Sequence, residues 1–161
     1  MKRVLTILAV LAAALGGWAA FQFTSAPAAP SPAAPSPAAN AKTAEVWKSQ
    51  SCGCCTSWIA YMEDHGYQVT VHDIDDVDPI KDQLKVPEQA RSCHTAKIGG
   101  YVVEGHVPVE ALDKLLAERP KGVIGIAAPG MPTGSPGMDV DAQPYPVVTF
   151  GGGKVTLLGK Y

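Results

Sequence analysis

The chain has 161 residues, with 13 Lys and Arg against 15 Asp and Glu, a formal net charge of −2 and 47% hydrophobic residues. This near-balance, with no basic run interleaved with aromatic residues, argues against nucleic acid as a partner. The cysteine placement is the distinctive feature, because three of the 4 cysteines (Cys52, Cys54 and Cys55) crowd into one short stretch.

In chain order, Met1-Lys2-Arg3 is a short basic start, and residues 4–23 carry no charge and are rich in Leu, Ala and Val. Residues 1–25 therefore read as a signal peptide or an N-terminal membrane anchor. About 20 apolar residues just span a bilayer, which favours the anchor. Either reading leaves Lys2 and Arg3 inside and exports the rest to the periplasm. It also confines membrane contact to this segment. Residues 26–42 are a Pro/Ala/Ser-rich linker, an extended spacer with nothing to bury. Residues 43–161 suffice for one compact domain.

Within that domain a strand is predicted over 44–48. A helix follows, in which Cys55, Trp58, Ile59 and Met62 recur on one face. Gly66 is placed to cap it, and 67–74 alternates as a second strand. A short helix is predicted from Pro79 to about Leu84. The strands 95–98 and 101–104 form a hairpin around Gly99-Gly100. Pro108 opens a helix with Val109, Leu112, Leu115 and Leu116 inward, and Pro120 ends it. Residues 122–139 read as a Gly/Pro-rich loop, and 146–150 and 154–158 as terminal strands. This order predicts an α/β, thioredoxin-like single domain, a central mixed sheet flanked by helices, following an apolar N-terminal helix and the linker.

Cys52 and Cys55 form C-x-x-C, Cys52 and Cys54 form C-x-C, and Cys54 adjoins Cys55. At a strand-to-helix junction they meet free backbone N–H groups and the positive end of the helix dipole, which favour thiolate. Three close thiols suit a soft metal, or several ions bridged by sulfur, better than simple dithiol exchange. Redox chemistry stays open, as does a purely structural Cys52–Cys55 disulfide with Cys54 paired to Cys93. In a thioredoxin-like domain the connection entering the third strand faces the C-x-x-C. Here that place is Ser92-Cys93-His94, so Cys93 and His94 are candidates to face the first three thiols. His94 reads equally well as a strand-entry histidine bonded to backbone. His106 has a structural reading at least as strong, while His65 and His72 read as surface residues. Met131 and Met138 stand in a Gly/Pro loop with no helix face to pack on, so each is a thioether ligand or a core plug. Sulfur donors with imidazole point to Cu(I) ahead of zinc. The acidic run 73–78 lacks the glycine and terminal glutamate of a calcium loop.

Four motifs in order, Cys52-Gly53-Cys54-Cys55, Ser92-Cys93-His94-Thr95-Ala96, Gly105-His106-Val107-Pro108 and Gly130-Met131-Pro132-x-Gly134-Ser135-Pro136-Gly137-Met138, resemble the CopG-like periplasmic copper-resistance family. The likeness runs from about Val46 to Asp139. It implies a thioredoxin-like fold and a multinuclear copper site with a role in Cu(I)/Cu(II) interconversion. Carried onto this chain, Cys52, Cys54, Cys55 and Cys93 become the ligand candidates. His106 is raised to join them, and Met131, Met138 and His94 are secondary. The expected partners are copper ions and, beyond them, other periplasmic copper-resistance proteins or a copper exporter. The runner-up is a membrane-tethered thiol–disulfide oxidoreductase using Cys52 and Cys55. A passive metal store or chaperone shares the site and needs no turnover.

Overall fold

The computed structural model describes residues 42–138, 140–141 and 143–161. The predicted anchor 1–25 and all of the linker except Lys42 lie outside the described residues. Among the described residues no helix is long and apolar enough to cross a membrane.

Strand β1 (Lys42–Lys48) buries Ala44, Val46 and Lys48 and leaves Glu45 and Trp47 half-exposed, the period-two pattern of a strand with one face on a core. It pairs parallel with β2 (Tyr67–Asp73), and a parallel neighbour requires a crossover. The crossover is α1 (Gly53–Asp64), which buries Cys55, Trp58, Ile59 and Met62 as the spacing predicts. After it Gly66 takes φ +83°, and its N–H bonds to Glu63 O at 2.9 Å.

On the other side of β1 lies β3 (His94–Ile98), antiparallel to it and to β4 (Tyr101–Glu104). The β3–β4 turn needs glycine twice over. Gly99 and Gly100 both have positive φ, and a Cβ on Gly99 would sit 2.4 Å from Leu116 Cδ2. Helix α3 (Val109–Glu118) follows, burying Val109, Ala111, Leu112 and Leu115. The full sheet is mixed and seven-stranded, in the order β2-β1-β3-β4-β5-β6-β7. Its last members are β5 (Gly125–Ala127), β6 (Pro146–Gly151) and β7 (Lys154–Lys160).

Two features were absent from the sequence reading. Strand β5 falls within the stretch read as loop, because three residues are too few to show a period. Its identity as a strand is tertiary: it pairs parallel with β4 and antiparallel with β6. Gly125 is required there, since a Cβ would meet Phe150 at 2.3 Å and Val102 O at 2.6 Å. The other is a 3-10 turn at Glu88–Ala90, too short to leave a periodic signal.

The sheet has a core on each face. Adjacent residues Val102 and Val103 belong to different clusters, as do Ile126 and Ala127, because alternate strand positions face opposite ways. On one face Val46, Ala96, Val103 and Ile126 pack with Trp58, Met62, Leu112 and Leu115 of α1 and α3. On the other, Val102, Ala127 and Phe150 pack with Val86 and Ala90, just beyond α2 (Asp78–Gln83).

Candidate metal centre

The parallel β1–β2 pair delivers the C-terminal end of β1 and the start of α1 to one end of the sheet. Cys52 is the N-cap of α1 but supplies no side-chain cap, and no acidic residue occupies the first turn. The first N–H groups of the helix thus have no side-chain acceptor from Cys52, and the positive end of the dipole lies at the turn that carries the thiols. Cys52 and Cys55 are joined in a disulfide, with Cα atoms 5.3 Å apart, while Cys54 and Cys93 are free. The Sγ atoms of Cys52 and Cys54 lie 3.7 Å apart.

The fourth thiol arrives from the sheet. Cys93 immediately precedes β3, and its Sγ lies with those of Cys52, Cys54 and Cys55 in a cluster whose members are all within 4.8 Å of one another. A second, overlapping group at the same spacing joins Cys55 and Cys93 to ring nitrogens of His94 and His106. His106 reaches the site because Gly105 turns with φ +69° hard against Ser92, whose Oγ would be 2.3 Å from any Cβ there. The His106 ring has a defined tautomer. Its Nδ1 donates to the Pro136 carbonyl at 2.7 Å, so Nε2 carries the lone pair. That lone pair lies 3.1 Å from Cys93 Sγ, and the thiol donates to it.

His94 is fully buried, its Nδ1 3.6 Å from Cys93 Sγ and its ring 4.4 Å from Trp58 and 5.3 Å from His106. Among the described residues its buried Nε2 has no hydrogen-bond partner, so the backbone-bonded reading of His94 does not hold for that nitrogen there. Trp58 ties the two sides together, its indole N–H donating to Val107 O at 3.0 Å.

Burial dominates the electrostatics. It pushes the Cys93 thiol up to about 11, and nearby Cys54 adds to the rise. The helix dipole that favours thiolate at α1 therefore does not govern the fourth thiol. His94 is held well below the usual imidazole range by burial, then by the charges of His106, Lys81 and Lys48. His106 is lowered by burial too, against the Pro136 hydrogen bond. Both imidazoles are neutral at pH 7 and available as donors.

Of the residues singled out from sequence, the four cysteines, His94 and His106 converge. Met131 is 58% exposed, and Met138 is half-buried beside Gly137, whose backbone lies against Trp58. Neither methionine is packed as a core plug. His65 is exposed as expected, but His72 is half-buried, stacked on Trp47 and paired with Glu45 at 3.0 Å. The sequence reading missed the Pro136 carbonyl and a buried network of Lys81, Thr95 and Glu104 below Cys93. Only Glu104 left a trace in sequence, as a charge closing a strand that is otherwise apolar.

Fold and site together define a small α/β domain bearing a thiol-and-imidazole centre of the kind that holds soft metal ions. Two solved structures are similar to it, described as "Copper resistance protein copG- Form 2" and "Copper resistance protein copG- Form 1". The first is 39% identical, covers 74% of this chain and 98% of its own, and superposes with a TM-score of 0.69. The second is also 39% identical, covers 74% and 96%, and has a TM-score of 0.68. A family model described as "Protein of unknown function, DUF411" matches residues 90–138, which hold Cys93, His94, His106 and both loop methionines. Comparison with curated proteins gives no significant match. The chain belongs to the CopG copper-resistance protein family.

Proposed function

We propose that this is an exported, periplasmic copper-binding protein of copper resistance, which holds Cu(I) through Cys52, Cys54, Cys55 and Cys93. The observation that carries this reading is the convergence of four sulfurs within 4.8 Å, with the His106 lone pair directed at Cys93. Thiolate and neutral imidazole are the donors Cu(I) favours, and thiolates bridge metal ions, so this much sulfur suits a multinuclear cluster. His106 completes the coordination. The Nε2 of His94, buried without a partner among the described residues, supports its place in the donor set, since buried polar atoms rarely go without a partner. Met131, exposed on its loop, and Met138 are further thioether donors. Copper cycling between Cu(I) and Cu(II) on these ligands is the reading that extends furthest.

A thioredoxin-like assignment is supported by the order β1-α1-β2-α2-β3-β4-α3, the strand arrangement β2-β1-β3-β4 and the C-x-x-C at the start of α1. Residues 1–25 serve as signal or anchor and 26–42 as spacer. Other periplasmic copper-resistance proteins or a copper exporter would exchange copper with the domain.

The Cys52–Cys55 disulfide favours a second reading, thiol–disulfide exchange. After reduction by two electrons and two protons, the half-exposed Cys52 thiolate would attack a substrate disulfide. Buried Cys55 would then displace the reduced substrate and re-form the bond. The same reduction is needed before all four thiols can take copper.

Anaerobic titration of the fully reduced protein with Cu(I), read by native mass spectrometry, separates the two. More than one copper per chain, bound cooperatively, is expected. A protein that retains no copper yet reduces a disulfide substrate would overturn the copper reading in favour of exchange.

A further inference from the structure

We propose that Glu104 and Lys81 are positioning residues that hold Cys93 and His94 in register with the thiols of α1. The proposal rests on the site being a metal centre. Cys93 and His94 stand between Ser92 and Thr95, and a single carboxylate grips both flanks. Glu104 accepts the Ser92 backbone N–H at 2.7 Å and the Thr95 hydroxyl at 2.7 Å. Lys81, reaching in from α2, donates to Glu104 at 2.5 Å and to Thr95 at 3.0 Å. Lys81 is 2% exposed and Glu104 0%.

The location explains why a side chain does this. Thr95↔Glu104 is the last register pair of β3 and β4. Beyond it β4 turns away at Gly105 towards His106, so the ladder supplies no partner for the Ser92 N–H. There Ser92 keeps only an isolated parallel bridge to Gly130, whose N–H bonds to Arg91 O at 2.9 Å, and Glu104 takes the Ser92 N–H at the point where the chain must present Cys93. Gly105 N–H still bonds to His94 O at 3.0 Å, so the Glu104 strand end steadies both the Cys93 and His106 arms.

Stability alone is a poor reason for this pair. Glu104 is paired with Ala127 in the β4–β5 ladder and shares a strand face with Val102, both members of an apolar cluster that also holds Val86 and Ala90. Replacing a buried ion pair by apolar residues of similar volume is often neutral or stabilising, because the desolvation cost offsets the attraction. What such residues would lack is a fixed acceptor for Ser92. Outer partners of metal ligands commonly govern affinity by orienting the ligands they touch.

The test is Lys81→Met/Glu104→Leu in the full chain, which removes both charges and strands neither. Two readouts are compared with wild type: alkylation rates of Cys93 and Cys54 in the reduced, metal-free protein, resolved by peptide mass spectrometry, and Cu(I) affinity by competition with a colorimetric chelator. The expected result is a folded variant in which Cys93 alkylates several-fold faster, Cys54 is unchanged, and affinity falls about 10–100-fold. Wild-type values for both in a folded variant would overturn the proposal. Should the double variant not fold, Thr95→Val decides. It removes the hydroxyl that ties the carboxylate to the Cys93–His94 segment and leaves the Lys81–Glu104 pair intact, so a smaller acceleration at Cys93 alone is expected, and a wild-type rate would overturn the proposal. If wild type itself takes no Cu(I), the copper reading fails, while the alkylation comparison still decides the positioning role.

Discussion

On the helix side of the centre, Cys52, Cys54 and Cys55 lie within one turn at the start of α1, and chain adjacency alone keeps them close. On the sheet side, Cys93, His94 and His106 are gathered by the β3–β4 pairing, the Gly105 turn and the Pro136 carbonyl. The helix-side thiols are neighbours in the chain whatever the tertiary structure does. The sheet side exists only while the tertiary structure does, and its acceptors are backbone groups and buried charges. The fourth thiol and both imidazoles are therefore where folding would control the proposed metal chemistry.

Trp58 is the largest joint between the two sides. It is fully buried, packs on His94 and donates to Val107 O. Trp58→Ala is expected to cost about 3–5 kcal/mol in denaturant unfolding, through the cavity and the lost hydrogen bond. Copper binding that depends on Cys93 should weaken with it. A loss below about 1 kcal/mol would mean the sides are not joined there.

A smaller effect is expected at Gly137, where a Cβ would sit 2.6 Å from Trp58 N and φ is +82°. Gly137→Ala should cost about 1–3 kcal/mol by crowding and strain. Because Pro136 holds His106 Nδ1, the His106 ring proton should also shift in the NMR spectrum. An unchanged resonance would show that the loop does not orient the ring.

The smallest predicted effect is pH dependence of the metal-free, disulfide-closed protein. His94 and His106 bind protons less readily folded than unfolded, so the unfolded chain takes up more protons below its ordinary value of 6.5. Stability is thus full above that value and declines as pH falls through the depressed folded values. Cys93 acts at the other end: with its thiol raised from 9.0 to about 11, stability declines as pH rises between these values. Copper held by Cys93 as proposed would add its own dependence, since binding would eject the Cys93 proton and affinity would fall with falling pH. Thermal melts flat from neutral into the acid range would contradict the burial of the two imidazoles.

The same contrast sets what could be read in the chain. The α1 face, the Gly99-Gly100 turn and the α3 face follow from local periodicity and turn chemistry, and the structure has them where the residues indicate. Cys93 could be set opposite the C-x-x-C only by supposing a fold. Strand β5 is too short to be periodic and is made by its neighbours. The Lys81–Glu104 contact joins residues 23 apart through tertiary packing, and no local rule pairs them. The disulfide state of Cys52 and Cys55 was one of several open alternatives, and spacing could not choose among them.

The central claim, that the sheet side completes a sulfur-bound copper site begun by the helix, is tested most directly by copper-edge X-ray absorption on the reduced, Cu(I)-loaded protein beside Cys93→Ser. The expected wild-type spectrum has sulfur as the dominant scatterer and a short copper–copper vector, and Cys93→Ser should lose copper and that vector together. Identical spectra and copper content in the two proteins would confine the site to α1 and contradict the claim.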